Sequence, residues 1–200
     1  MIRVYVWDIF TRVFHWLLAF TVIAGLLLGK TLDFSTIQLH FYLGYATGLL
    51  IILRIIWGFI GPSPIRWKIL FSSISHSKIY IRSLLKRRPS GIAGHNPLGG
   101  LSVIVIMFAL TAQVLTGLFA ESDGLFHAGP LSFLANQTII TYANFVHYIV
   151  GNMIIALAII HILAVIFYLV WKKENLIIPM ITGFKFIRNN RKNCEKSIEK

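Results

Sequence analysis

Acidic side chains are scarce in this sequence: 7 Asp and Glu stand against 19 Lys and Arg in 200 residues, for a formal net charge of +12. Cysteine is scarcer still. The single thiol, Cys194, lies in the polar C-terminal stretch, which excludes a disulfide within the chain and a cysteine-ligated iron–sulfur cluster built from it. Internal repeats and low-complexity tracts are also lacking, and no alternating apolar pattern announces a β-strand.

Apolar residues, in contrast, make up 56% of the chain, and the mean hydropathy is +0.75. Four runs, Val13–Gly29, Leu39–Gly61, Leu101–Ala120 and Val146–Trp171, approach or exceed the roughly 20 residues that cross a bilayer. The expected fold is all-α, an integral membrane four-helix bundle with spans over about residues 10–30, 37–60, 98–120 and 143–171. One membrane domain would cover residues 1–184, and residues 185–200 would form a basic cytoplasmic tail. The first span lacks a small-residue cleavage site and follows the mixed stretch RVYVWDIFTR, so it reads as a retained helix and not a secretory signal.

In a soluble protein such basicity would point to nucleic acid; here the positions of the charges point elsewhere. Seven Lys or Arg lie between Arg66 and Arg88, and eight follow Trp171. The other two connections carry Asp33, Glu121 and Asp123, against Lys30 at a helix end. By the positive-inside rule, both termini and the connection between spans two and three are cytoplasmic. The basicity therefore reads as topology and contact with anionic lipid, with no nucleic-acid partner.

With that orientation, the histidines can be placed by depth. His147 and His161 are fourteen residues apart in one apolar run, which on a helix is almost four whole turns and a rise of about 21 Å. Both rings leave the same helix face at different depths. His40 opens span two behind Ser35-Thr36-Ile37-Gln38, which reads as a capping box on the outer side. His15 lies early in span one, about 10 Å inside the cytoplasmic end. Depth therefore pairs His40 with His147 and His15 with His161.

Ionisable groups within a bilayer usually face the bundle interior and serve a function. Zinc normally takes four ligands at one level, whereas two layers of two imidazoles in apolar and aromatic surroundings suit two six-coordinate haem irons. No C-x-x-C-H sequence offers covalent attachment, so any haem is b-type. Gly44 and Gly151 follow two of these histidines by one turn, and Gly25, Gly48 and Gly117 add small positions where a flat porphyrin could approach. The plainer reading of any one membrane histidine is a hydrogen bond to a neighbouring helix. Four at matched depths are harder to explain that way.

The motifs VWDIFTRVFHWLL, LHFYLGYATGLLIILRIIWGFIGP, GHNPLGGLSVIVIMFALTAQVLTGLF and HYIVGNMIIALAIIH, the last followed by YLVWKKENLIIPMITG, resemble the bacterial cytochrome b561 family. Within it, they are most similar to the branch that includes the b-type cytochrome subunit of nickel–iron hydrogenases, over residues 3 to about 184. The resemblance implies two haem b groups with axial ligands His15, His40, His147 and His161. It also implies a multi-pass protein of the bacterial inner membrane, in a respiratory chain, working with a redox partner and with quinone.

Charged residues form a second tier. Arg54, fourteen residues after His40 on the same face, is a candidate for a haem propionate; the alternative is that it snorkels to the interface. Arg12, one turn before His15, has the same two readings and a third, an i,i+4 pair with Asp8. His95, in the Gly94-His95-Asn96-Pro97 turn, is either a proton carrier for a quinone or part of a helix start. His76 falls in Trp67 to Leu85, which reads as an amphipathic helix on the inner surface, and His127 reads as a surface residue of the outer loop.

Three functions follow. The first is a dihaem cytochrome that passes electrons across the membrane between a redox partner protein, hydrogenase-like or a cytochrome, and the quinone pool. The second is a self-contained quinone-linked oxidoreductase acting on a small oxidant such as superoxide. The third is a haem-free transporter whose histidines relay protons or merely pack.

Overall fold

The computed structural model describes residues 2–31, 36–75, 77–85, 87, 89–92, 94–121 and 128–187. Four helices are long and apolar enough to cross a membrane: α1 (Ile9–Lys30), α2 (Ile37–Ile60), α5 (Pro97–Phe119) and α6 (Gln137–Val170). They agree with the spans expected from sequence to within a residue, except that α6 begins six residues earlier than the expected 143. Many of their large apolar side chains point outward; Phe108 is 78% exposed and Phe59 69%, an arrangement suited to lipid and not to water.

Short polar side chains set the helix ends. Asn96 Oδ1 accepts from Gly99 N at 2.7 Å ahead of Pro97 at the first position of α5. Asn136 Oδ1 does the same for Ile139 N at 2.9 Å in α6. Asp8 caps α1 by accepting from the backbone and hydroxyl of Thr11. The expected capping box of α2 involves Ser35, which lies outside the described residues; the Gln38 amide donates to Tyr42 Oη at 3.2 Å.

Contacts divide the chain into two units. The helical unit comprises residues 13–60 and 102–162, the greater part of all four long helices. Its interior holds Ile51, Met107, Leu110 and Ile154, together with a buried hydroxyl pair, Thr47 Oγ1 to Thr21 Oγ1 at 3.1 Å. Each threonine also bonds a carbonyl of its own helix, Leu43 for Thr47 and Leu18 for Thr21, which satisfies a polar group where water is absent.

The other unit comprises the described parts of residues 1–12, 61–101 and 163–200. It contains β1 (Ile2–Tyr5), α3 (Trp67–Ser75), α4 (Ser77–Leu84), α7 (Ile177–Thr182) and β2 (Phe184–Ile187). The two strands pair antiparallel, Ile2 opposite Ile187 and Tyr5 opposite Phe184. This sheet corrects the expectation of no strands and of a tail beginning at residue 185. Four-residue strands are too short to show an alternating pattern, and their partners lie at opposite ends of the chain. Gly183, at φ +86°, ends α7 with its N–H on Pro179 O at 2.8 Å, while its carbonyl accepts from Val6 N and Trp7 N. The amphipathic stretch expected over Trp67 to Leu85 is two helices, and Leu70 and Ile65 are each only 1% exposed.

A buried ion pair anchors this unit. Lys185 Nζ lies 2.6 Å from Glu174 Oε1 and donates to Ile92 O at 2.7 Å, while Ser90 donates to the same carboxylate from both its backbone N and its hydroxyl. Burial pushes the Glu174 carboxyl up, but the Lys185 ammonium and the Ser90 donors outweigh it and hold the group below its ordinary value.

Candidate functional site

Within the helical unit, α2 and α6 bring His40 and His147 to a ring-centre separation of 6.3 Å. α1 and α6 bring His15 and His161 to 6.4 Å. Two metal–imidazole bonds of about 2 Å in line place ring centres about 6 Å apart, so both pairs have the spacing that one metal ion with two axial histidines requires. Among the described residues no cluster of three or more His, Cys, Asp or Glu is arranged to hold a metal ion. The four histidines stand as two pairs at two levels.

Hydrogen bonds set the ring orientation at the first level. His40 Nδ1 lies 3.0 Å from Gly25 O, and His147 Nδ1 lies 3.0 Å from Gln113 O. A carbonyl accepts only, so each Nδ1 carries the proton and each Nε2 keeps its lone pair for a metal, the usual outer support of a histidine ligand. Thr116 Oγ1 adds a contact to His147 Nδ1 at 3.2 Å. The Gln113 side-chain amide donates to His147 Nε2 at 3.0 Å, so that an incoming metal ion would displace it.

Glycines fit this level to its rings. A Cβ on Gly117 would stand 2.9 Å from His147 Cε1, and one on Gly29 would stand 3.2 Å from His40 Cε1. Gly117 therefore makes room for the His147 ring. Gly151 faces the Gln113 amide at 3.3 Å, Gly48 faces Val114 at 3.2 Å, and Gly25 is 3.9 Å from Leu43. Gly44 alone of the glycines expected to admit a porphyrin faces open space. It lines a cavity of about 330 Å³ shared with His40, His147, Gly117, Gly151 and Tyr45. That size, a mostly apolar wall and two imidazoles in the lining with ring centres 6.3 Å apart suit a cofactor pocket, and the residue types fit a flat macrocycle held between two histidines.

The second level is barer. Trp16 meets the His15 ring edge-on at 5.2 Å, and His15 Nδ1 has no hydrogen-bond partner among the described residues. Arg54, also in the helical unit, is 4% exposed, so its guanidinium lies among side chains and not at an aqueous surface as the snorkelling reading requires. In the other unit, Arg12 Nη1 donates to Ile181 O. The Asp8 carboxylate is turned to Thr11, so the Asp8–Arg12 pair is not what the structure forms. His95 packs edge-on against Trp7 at 4.6 Å, beside the Asn96 cap. His76 and His127 lie outside the described residues.

Gln113, Thr116 and Gly29 are site residues that no sequence motif marks. Span three carries no histidine and so drew no attention as a ligand helix. A glutamine in the middle of an apolar span was nevertheless a signal, since polar groups at that depth need a partner.

The family described as prokaryotic cytochrome b561 matches residues 6–183. The chain belongs to this family. Among curated proteins, this cytochrome is 26% identical to the probable Ni/Fe-hydrogenase B-type cytochrome subunit of Rhodobacter capsulatus, over 94% of the chain and 83% of the relative. It is 24% identical to the protein of the same name from Rhizobium leguminosarum bv. viciae, over 93% and 90%. No solved structure gives a significant match. A cytochrome b561 with four membrane-length helices is a multi-pass membrane protein, its cofactor is haem b, and its activity is electron transfer.

Proposed function

We propose that this cytochrome binds two haem b groups, one held by His40 and His147 and the other by His15 and His161, and carries electrons across the bacterial inner membrane. The observation that carries the reading is the pair of ring separations, 6.3 and 6.4 Å, found twice in one bundle. His147 and His161 are fourteen residues apart on α6, a rise of about 21 Å in a hydrocarbon core of about 30 Å, so the two levels would stand near opposite interfaces. The distribution of Lys and Arg supports both termini in the cytoplasm, which makes the His40–His147 level outer and the His15–His161 level inner.

Haem b, when bound, supplies one-electron chemistry, its iron alternating between ferric and ferrous. The chain's own residues do the rest. The four imidazoles would ligate, Gly25 O and Gln113 O orient two of them, and the apolar helices exclude water. Arg54, buried in the bundle, is the residue proposed to neutralise a propionate of the inner haem; Arg12, with Nη1 held on Ile181 O, is not. The relatives' names, Ni/Fe-hydrogenase B-type cytochrome subunit, support a hydrogenase-like redox protein as partner; the quinone pool at the other end of the path is part of the proposal.

The purified protein should show a reduced b-type α-band and two haems per chain in a pyridine extract. His147→Ala should lose the outer haem and His161→Ala the inner one, each leaving the other in place. Two low-spin haems in both variants would defeat the pairing. Purification from the native membrane should bring a redox subunit with the cytochrome.

A further inference from the structure

The cavity between His40 and His147 has one cationic and one acidic residue among its described lining residues, Lys30 and Glu121. Lys30 is the last residue of α1 and follows Gly29, whose absent side chain leaves room for the His40 ring. Lys30, His40 and His147 all line the same cavity. Lys30 Nζ donates to Asn152 Oδ1 at 2.7 Å and stands 5.5 Å from the centre of the Tyr148 ring. Asn152 in turn is fixed by donating from Nδ2 to Tyr148 O at 2.9 Å. All three residues line the cavity, and Asn152 lies on α6 little more than one turn beyond His147.

An ammonium has three donors, and Asn152 takes one. Its remaining protons are open to an anion at the cavity rim, where Lys30 is exposed. Topology sharpens the point: Lys30 is the cation on the side whose connections otherwise carry Asp33, Glu121 and Asp123. The positive-inside rule makes a lysine uncommon there, and Glu121 is the acidic residue in the same lining. A haem b seated between His40 and His147 brings carboxylates of its own to a largely apolar pocket, and a carboxylate in such surroundings requires a charge-assisted hydrogen bond.

We infer that Lys30, positioned by Asn152, is the seat of a propionate of the outer haem. The inference rests on the two-haem reading and adds an electrostatic role to it. A fixed positive charge beside the macrocycle favours the ferrous state, which carries one positive charge less. Removing it shifts the reduced-to-oxidised ratio toward ferric at a given potential, by about tenfold at most, which for one electron is about 59 mV.

The test is a spectroelectrochemical titration of the intact purified cytochrome, in which the outer haem is the component missing from His147→Ala. Lys30→Gln should lower the midpoint of that component and leave the inner one in place; Lys30→Arg should restore it. A Lys30→Gln protein with both haems and unchanged midpoints would overturn the inference while leaving the two-haem reading intact. So would loss of the outer haem in Lys30→Gln and Lys30→Arg alike, which would make Lys30 a packing residue. A wild-type protein without two haems would defeat the underlying reading instead.

Discussion

The two histidine pairs share a ring spacing and differ in what holds it. At the His40–His147 level each Nδ1 is tied to a backbone carbonyl at 3.0 Å, glycines on α1 and α5 leave room for the rings, and a cavity of about 330 Å³ adjoins them. At the His15–His161 level the rings stand 6.4 Å apart, yet His15 Nδ1 has no hydrogen-bond partner among the described residues, and its ring meets the adjacent Trp16 edge-on. The first level is specified by the bundle's own hydrogen bonds. At the second, no hydrogen bond among the described residues fixes the Nδ1 of His15.

The first level depends most on the space that its glycines leave open. Gly117→Leu puts a branched chain where a single Cβ already stands 2.9 Å from His147 Cε1, so the ring must leave its place. The variant should lose the His40–His147 haem and keep the other, halving the haem per chain in a pyridine extract. Retention of two haems would show that the glycine is not what places the ring. Gly117→Ala, which needs only a small shift, should keep both and weaken the first.

A second effect is thermodynamic. Two pre-formed hydrogen bonds of about 1 kcal/mol each spare the first level the cost of orienting its ligands, a combined factor of roughly tenfold or more in affinity. Haem added stepwise to the apoprotein should therefore fill the His40–His147 level first, the same component that is missing from His147→Ala. Simultaneous filling, or the reverse order, would remove the distinction between the levels.

A third and smaller effect tests the Gln113 amide. Its donation to His147 Nε2 at 3.0 Å competes with a metal ion for that lone pair. Gln113→Leu removes the competitor but keeps the backbone carbonyl that orients the ring, so haem affinity at this level should rise by about three- to tenfold, the worth of one hydrogen bond. A fall in affinity would mean that the amide supports the site instead of capping it.

How much of this was legible in the sequence follows from range. His147 and His161 declare their common face because fourteen residues is a local helical relation, and the four spans declare themselves by local apolar length. Depth, read from charge asymmetry, was enough to sort the four histidines into pairs that the fold brings together. The role of Gly117 was not legible: a porphyrin slot and a seat for another helix's histidine call for the same residue, and only a packing partner 30 residues away in sequence distinguishes them. The β1–β2 sheet was hidden for a similar reason, since its register joins residue 2 to residue 187. Gln113 was visible as a polar residue in an apolar span, but its partner was not.

The last prediction concerns the other unit and should leave both histidine levels unmoved, which makes it the control for the comparison. Glu174 is 6% exposed, paired with Lys185 and bonded twice by Ser90, and its carboxyl is held below the ordinary value. A group whose folded value is lowered contributes stability that is fully present above its unfolded value and is lost as pH falls through the folded one. Hydrogen-exchange protection of β1 and β2 should therefore be flat near neutral pH and decline once pH drops below the ordinary glutamate range. Glu174→Gln should reduce protection at neutral pH, because Lys185 is left buried without its anion, and should flatten the acid decline. The haem spectrum should be the same in both proteins over that range. An acid decline that survives in Glu174→Gln would place the sensitive group elsewhere, and a haem spectrum that changed with it would show that the histidine levels depend on this ion pair.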